Sequence, residues 1–183
     1  MKRVYSFLLL LLFCSGMLFA ADVFIVKSSK VKFKSEAALE TIIAESTELR
    51  GMLDVQSKIF AFTLNNESFN GFNSHLQREH FNDNYLDTDK YPNISFSGRI
   101  IDEIDFNTPG TYTVRAKGML NVKGVNREKL IKSVVDVKSN SIKISTDFTV
   151  LLDDYGIRIP RVVNQKIASE IQISLTAFLE PQK

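Results

Sequence analysis

Along most of this chain apolar and polar residues alternate one for one. That period places successive side chains on opposite faces of a strand, one toward a core and one toward water. The run from Thr111 to Lys123 is the clearest. Tyr112, Val114, Ala116, Gly118, Leu120 and Val122 share one face, while Thr111, Thr113, Arg115, Lys117, Asn121 and Lys123 share the other, and Met119 alone falls out of phase. Between Ser141 and Leu152, Ile142, Ile144, Phe148, Val150 and Leu152 alternate with Lys143, Ser145, Asp147 and Thr149. From Glu170 to Leu179, Ile171, Ile173, Leu175, Ala177 and Leu179 share a face. Weaker strands are expected at Val23–Lys34, Lys58–Leu64, Ile94–Ile100 and Leu130–Val137. Thr41–Met52 is ambiguous, because Glu36–Glu48 also reads as a helix.

This makes about eight strands joined by polar turns such as Asn107-Thr108-Pro109-Gly110 and Ser139-Asn140. Several run for about ten residues, roughly 33 Å of strand. Strands that long leave exposed edges unless the sheet closes. Eight strands close into a barrel that is either filled by side chains or holds one small ligand. The expected fold is therefore all-β: an eight-stranded antiparallel barrel, favoured over a sandwich, whose strands are usually shorter. One stretch breaks the pattern. Phe69, Phe72 and Leu76 are spaced three and four apart, which puts them on one helical face with Ser68 as N-cap. A short helix over one end of the barrel is expected there, followed by a loop from Tyr85 to Pro92.

The first twenty residues read differently. Lys2 and Arg3 precede a wholly apolar run, Phe7–Phe13, and the stretch ends in small residues at Ala20 and Ala21. This is the pattern of a secretory signal peptide spanning 1–20, with cleavage after Ala20 or Ala21. It is short for a membrane span. Cys14 follows the bulky Phe13 where a lipoprotein signal has a small residue, and is read as part of the discarded signal. The remaining domain, 21–183, then has no cysteine and must be held by its core. Without Lys2 and Arg3 it carries 21 basic and 21 acidic residues. That balance gives no support to nucleic-acid binding, which needs a clustered positive surplus. An exported chain is expected in the periplasm or outside the cell.

His80-Phe81-Asn82-Asp83-Asn84-Tyr85-Leu86, followed by Asp89-Lys90-Tyr91-Pro92-Asn93-Ile94-Ser95-Phe96, resembles the YceI-like family of lipocalin-like, polyisoprenoid-binding periplasmic proteins. Tyr112-Thr113-Val114, the Gly118–Val125 hairpin, Phe148-Thr149-Val150 and Asp154-Tyr155-Gly156-Ile157 follow in the family's order. The resemblance covers Asp22 to Glu180. The family's Gly-rich region after the first strand is replaced here by Ser35-Glu36-Ala37-Ala38-Leu39-Glu40. The resemblance implies a lipocalin-like barrel with a long apolar ligand threaded through it, such as a polyprenyl chain or an isoprenoid quinone, and no catalytic residues. No other cofactor is implied. Transient contact with a membrane and a homodimer are both compatible with it.

The candidate ligand-binding set is the inward-facing apolar one: Phe60, Phe62, Phe96, Tyr112, Val114, Leu120, Ile144, Phe148, Ile173 and Leu175. The alternative is that these side chains meet one another and fill the barrel, leaving a module that binds a protein partner. Phe69, Phe72, Leu76 and Phe81 are candidates for gating the mouth. His75, Glu79, His80 and Asp83 invite a metal reading, but His75 and Glu79 share a helical face that His80 leaves, and zinc needs three or four ligands. The sequence contains no Gly-x-Ser-x-Gly, P-loop or His-Glu-x-x-His motif. Asp153 and Asp154 read as a turn rather than an acid–base pair. Arg158 and Arg161, beside Pro160, are either a solvated loop or a head-group contact at the barrel rim.

Overall fold

A computed structural model describes residues 23–182; the expected signal peptide, with Cys14 and its cleavage site, lies outside the described residues. Nine strands form one antiparallel sheet: β1 (Val23–Glu36), β2 (Thr41–Ser46), β3 (Arg50–Asp54), β4 (Ile59–Asn65), β5 (Asn93–Ile100), β6 (Gly110–Val122), β7 (Val125–Lys138), β8 (Ser141–Leu151) and β9 (Glu170–Pro181). They make eight staves. β2 and β3 lie end to end along the same side of β1, Thr41 pairing with Glu36 and Asp54 with Val23. Pairing of β1 with β9 closes the barrel. The break between β2 and β3 leaves backbone groups without ladder partners, and a buried serine supplies them. Ser29 Oγ donates to the Thr47 carbonyl (3.1 Å) and accepts from the Leu49 N–H (3.2 Å).

Alternation holds where the sequence predicts it. Val114, Ala116, Leu120 and Val122 point inward from β6, and Met119 points outward with 43% of its surface exposed. The ambiguous Thr41–Met52 stretch is strand on either side of a break at residues 47–49, because the edge of β1 offers ladder partners to Thr41–Ser46 and to Met52. Gly98 and Gly118 face each other on the inner side of β5 and β6. A Cβ at Gly98 would lie 2.1 Å from the Lys117 carbonyl oxygen, so this close strand approach requires glycine.

The predicted helix from Ser68 is corrected. Residues Asn66–Ser68 form a 3-10 turn, and Gly71 takes a φ of +100°, which ends any helical path. Asn70 instead exchanges two backbone hydrogen bonds with Glu45, at 2.8 and 2.9 Å. The open edge of β2 thus captures the chain and satisfies both sets of groups. The helix α1 (His75–His80) begins later, capped by Ser74 instead of Ser68, with Ser74 Oγ accepting from the Gln77 N–H at 3.2 Å. It runs into a wide π-type turn, Phe81–Leu86, that includes Tyr85, and stops at Asp87 with φ +52°.

One seam of the barrel is held differently from the rest. The β7–β8 ladder runs only from Lys138/Ser141 to Val134/Ser145. Beyond it, side chains bridge the gap: Thr146 Oγ1 donates to the Lys132 carbonyl (2.8 Å), Arg127 Nε to the Asp154 carbonyl (2.7 Å), and Lys129 lies 3.7 Å from the Asp154 carboxylate. Asp153 and Asp154 sit in a 3-10 turn, Leu152–Tyr155, as the sequence suggests.

Candidate functional site: an apolar cavity open at one end

The interior is not uniformly filled. At the end where β1 begins and β9 finishes, Ile142, Leu179, Ala177 and Val137 are almost wholly buried, and Phe24, Val26, Phe106 and Tyr112 pack against this group. Above this floor the inward faces draw apart around a cavity of about 500 Å³. That size lies within the roughly 300–1,000 Å³ of small-molecule sites. Phe62, Phe96, Ile144, Phe148, Ile173 and Leu175 all point inward yet are only half-buried, and all line the cavity. Inward residues of a solid core would be fully buried, so the surface they expose belongs to the cavity.

The structure brings thirteen of the fourteen sequence-predicted residues to this wall: Phe60, Phe62, Phe69, Phe72, Leu76, Phe81, Phe96, Val114, Leu120, Ile144, Phe148, Ile173 and Leu175. Tyr112 is the correction. It belongs to the floor, where its hydroxyl donates to the Thr108 carbonyl at 2.9 Å. Its place on the inner face is right, but period two says nothing about height along the barrel. Leu76 reaches the mouth but remains 58% exposed, because the helix starts too late to turn it inward.

Aromatic rings close over the upper part. Phe33 stacks on Phe81 with centroids 5.3 Å apart, and meets Phe69 at 5.2 Å and Phe72 at 5.8 Å. Phe81 also contacts Phe69 (5.6 Å) and Phe72 (5.1 Å). Such pairs contribute about 0.5–1.5 kcal/mol each beyond area burial. A second pair, Phe60 and Phe96, has centroids 4.9 Å apart on the β4–β5 wall. Sequence reasoning omitted Phe33, along with Val31, Ile42, Leu49 and Leu53, which also line the cavity. For Val31 and Phe33 the signal was present, since they alternate with Lys30, Lys32 and Lys34. Ile42 and Leu49 fall in the stretch left ambiguous between helix and strand, and Leu53 lies just past its end.

Few polar groups reach this space. Deep in the wall Ser133 and Thr146 face it from adjoining staves, while Glu40, Gln77, His80 and Lys166 stand at the mouth. Glu40 Oε1 accepts from Asn73 Nδ2 and Gln77 Nε2, both at 3.0 Å, which ties α1 to the β1–β2 turn. Tyr85 lines the upper wall, and its burial raises its phenol above the usual range. His75 and Glu79 pair at 3.3 Å on the exposed face of α1, and among the described residues no three His, Cys, Asp or Glu side chains converge on a point. Arg158 and Arg161 are exposed on the segment between β8 and β9.

An arrangement of this kind can enclose an elongated apolar molecule. Its wall offers apolar contact surface on several sides.

Comparison with known proteins agrees with this geometry. No curated protein sequence matches the chain. Among solved structures, a polyisoprenoid-binding domain from Saccharophagus degradans, implicated in plant cell wall breakdown, superposes with a TM-score of 0.75 at 13% identity, covering 88% of this chain and 99% of that one. Burkholderia cenocepacia BcnA gives 0.66 at 15% identity over 82% of this chain and 95% of its own. The Campylobacter jejuni YCEI protein gives 0.60 at 15% identity, over 74% and 82% respectively. At such identities these likenesses establish the barrel fold. The sequence profile of the YceI-like domain matches residues 23–178, nearly the whole described chain, and the chain therefore belongs to the YceI-like family.

Proposed function

We propose that this protein is a non-catalytic carrier that sequesters or transports an isoprenoid-type lipid, a polyprenyl chain or an isoprenoid quinone, within the cell envelope after export. The observation that carries the proposal is the one-ended apolar cavity with inward side chains left half-buried around it. Binding is by burial, with no bond made or broken. Each methylene-sized group taken from water contributes about 0.8 kcal/mol. Several isoprene units together offset the loss of freedom on capture. The polyisoprenoid-binding relative from Saccharophagus degradans supports the ligand class, since its barrel superposes on this one. A barrel that served only as a protein-docking module would have no use for such a cavity.

The test is equilibrium binding of a fluorescent polyprenyl analogue to delipidated protein and its variants. Phe62→Ala and Phe148→Ala should each weaken binding by about tenfold, the loss expected when a wall side chain worth about 1.5–3 kcal/mol of burial is truncated. Lys138→Ala, on the outside next to the β7–β8 turn, should leave it unchanged. Equal affinity in all three variants would contradict a cavity-wall site.

A further inference from the structure

The cavity mouth is rimmed by an unusual segment. Between Asp154 and Glu170 there is no acidic residue, but there are three cations, Arg158, Arg161 and Lys166. All three are exposed, and none forms an ion pair among the described residues. Between them stands Val162, 89% exposed, the most exposed large apolar side chain of the described residues. Two other apolar residues stand out at the same rim. Leu39 is 67% exposed on the β1–β2 turn, and its N–H donates to the Gln165 carbonyl at 2.8 Å, which fixes that turn beside the cationic segment. Leu76 is 58% exposed on α1 and shares the cavity mouth with Val163 and Lys166.

We propose that this rim docks on an anionic lipid bilayer, with Val162, Leu39 and Leu76 entering the interface and Arg158, Arg161 and Lys166 meeting lipid phosphates. Apolar tips flanked by cations are what an anionic membrane surface recognises. The apolar tips then adjoin the opening of the cavity, and a greasy cargo would pass between lipid and barrel with little exposure to water. This last step rests on the carrier reading; the docking itself does not, and is measured without cargo.

The experiment is co-sedimentation of the cargo-free protein with vesicles of phosphatidylcholine alone, or mixed in equal parts with phosphatidylglycerol, at low and at high salt. The wild type should sediment with the anionic vesicles only, and salt should release it. At about fivefold in affinity for each cation lost, Arg158→Glu/Arg161→Glu/Lys166→Glu should bind at least about a hundredfold more weakly. Val162→Asp should also lose binding, while Lys138→Glu at the far end of the barrel should bind as the wild type does. Circular dichroism checks that each variant is folded. Absence of wild-type binding to anionic vesicles would overturn the proposal. So would undiminished binding by the triple variant, or a loss in Lys138→Glu about one third of the triple variant's on a logarithmic scale, which would mark a response to net charge alone.

Discussion

At the floor of the barrel Ile142 and Leu179 expose no surface and Ala177 almost none, whereas further along the same strands Ile144, Leu175 and Ile173 are only half-buried around an internal cavity. Both groups obey the same alternation and present similar aliphatic side chains. What separates them is the filling between opposite walls. At the floor, Phe24, Val26, Phe106 and Tyr112 pack against the aliphatic residues and fill the section. Above it the section is left open, and the aromatic rings move to the rim, where Phe33, Phe69, Phe72 and Phe81 form one cluster. The floor is therefore packed without a cavity, and the upper half is where apolar surface remains available.

The largest effect expected from this contrast lies at the floor. Leu179→Ala or Ile142→Ala should cost about 2–5 kcal/mol of stability, the range for aliphatic truncation in a packed core, while barely changing affinity for a polyprenyl analogue. Chemical denaturation and the binding assay together check this. Filling the upper half should do the reverse. Ala116 lines the cavity, so Ala116→Phe should lower cargo affinity by tenfold or more, with a stability change of no more than about 1–3 kcal/mol. A Phe148→Ala variant should fall between, losing less than the roughly 3–5 kcal/mol typical of a fully packed phenylalanine because one side of its ring already faces the cavity.

The smallest effect concerns Tyr155, in a second cluster with Leu86, Leu120, Val122, Val150 and Ile157 beside the β7–β8 seam. Its hydroxyl is fully buried and finds no hydrogen-bond partner among the described residues. Burial, with the Asp154 charge adding to it, pushes this phenol up to about 12. A raised phenol favours the protonated form in the fold, so its contribution is complete below about pH 10 and is lost as pH climbs through about 12. Tyr155→Phe removes an unsatisfied polar atom and should change stability at neutral pH by no more than about 1 kcal/mol, in the stabilising direction. It should also flatten the alkaline decline, as read by denaturation at stepped pH.

Much of this was legible in the sequence because strand period and cavity wall are the same information. Phe60, Phe62, Phe148 and Ile173 could be assigned to the inner face from alternation alone, and they line the cavity. Height along the barrel was not legible, which is why Tyr112 was grouped with residues of the upper wall. The start of the helix was misplaced for a different reason. Phe69, Phe72 and Leu76 carry helical spacing, but the unpaired edge of β2 competes for the same backbone and captures Asn70. That competition is tertiary and leaves no local mark apart from Gly71. The break between β2 and β3 was hidden likewise, since its stabilising group, Ser29, lies on another strand.

The central claim is that the upper half of the barrel holds an isoprenoid-type lipid. Native mass spectrometry of the protein purified from its own cell envelope, followed by organic extraction and identification of the released material, tests it most directly. The account predicts a stoichiometric mass increment that is lost on extraction and identified as a prenyl lipid or quinone. A bare protein mass that stays unchanged when polyprenyl lipids and isoprenoid quinones are added would contradict it.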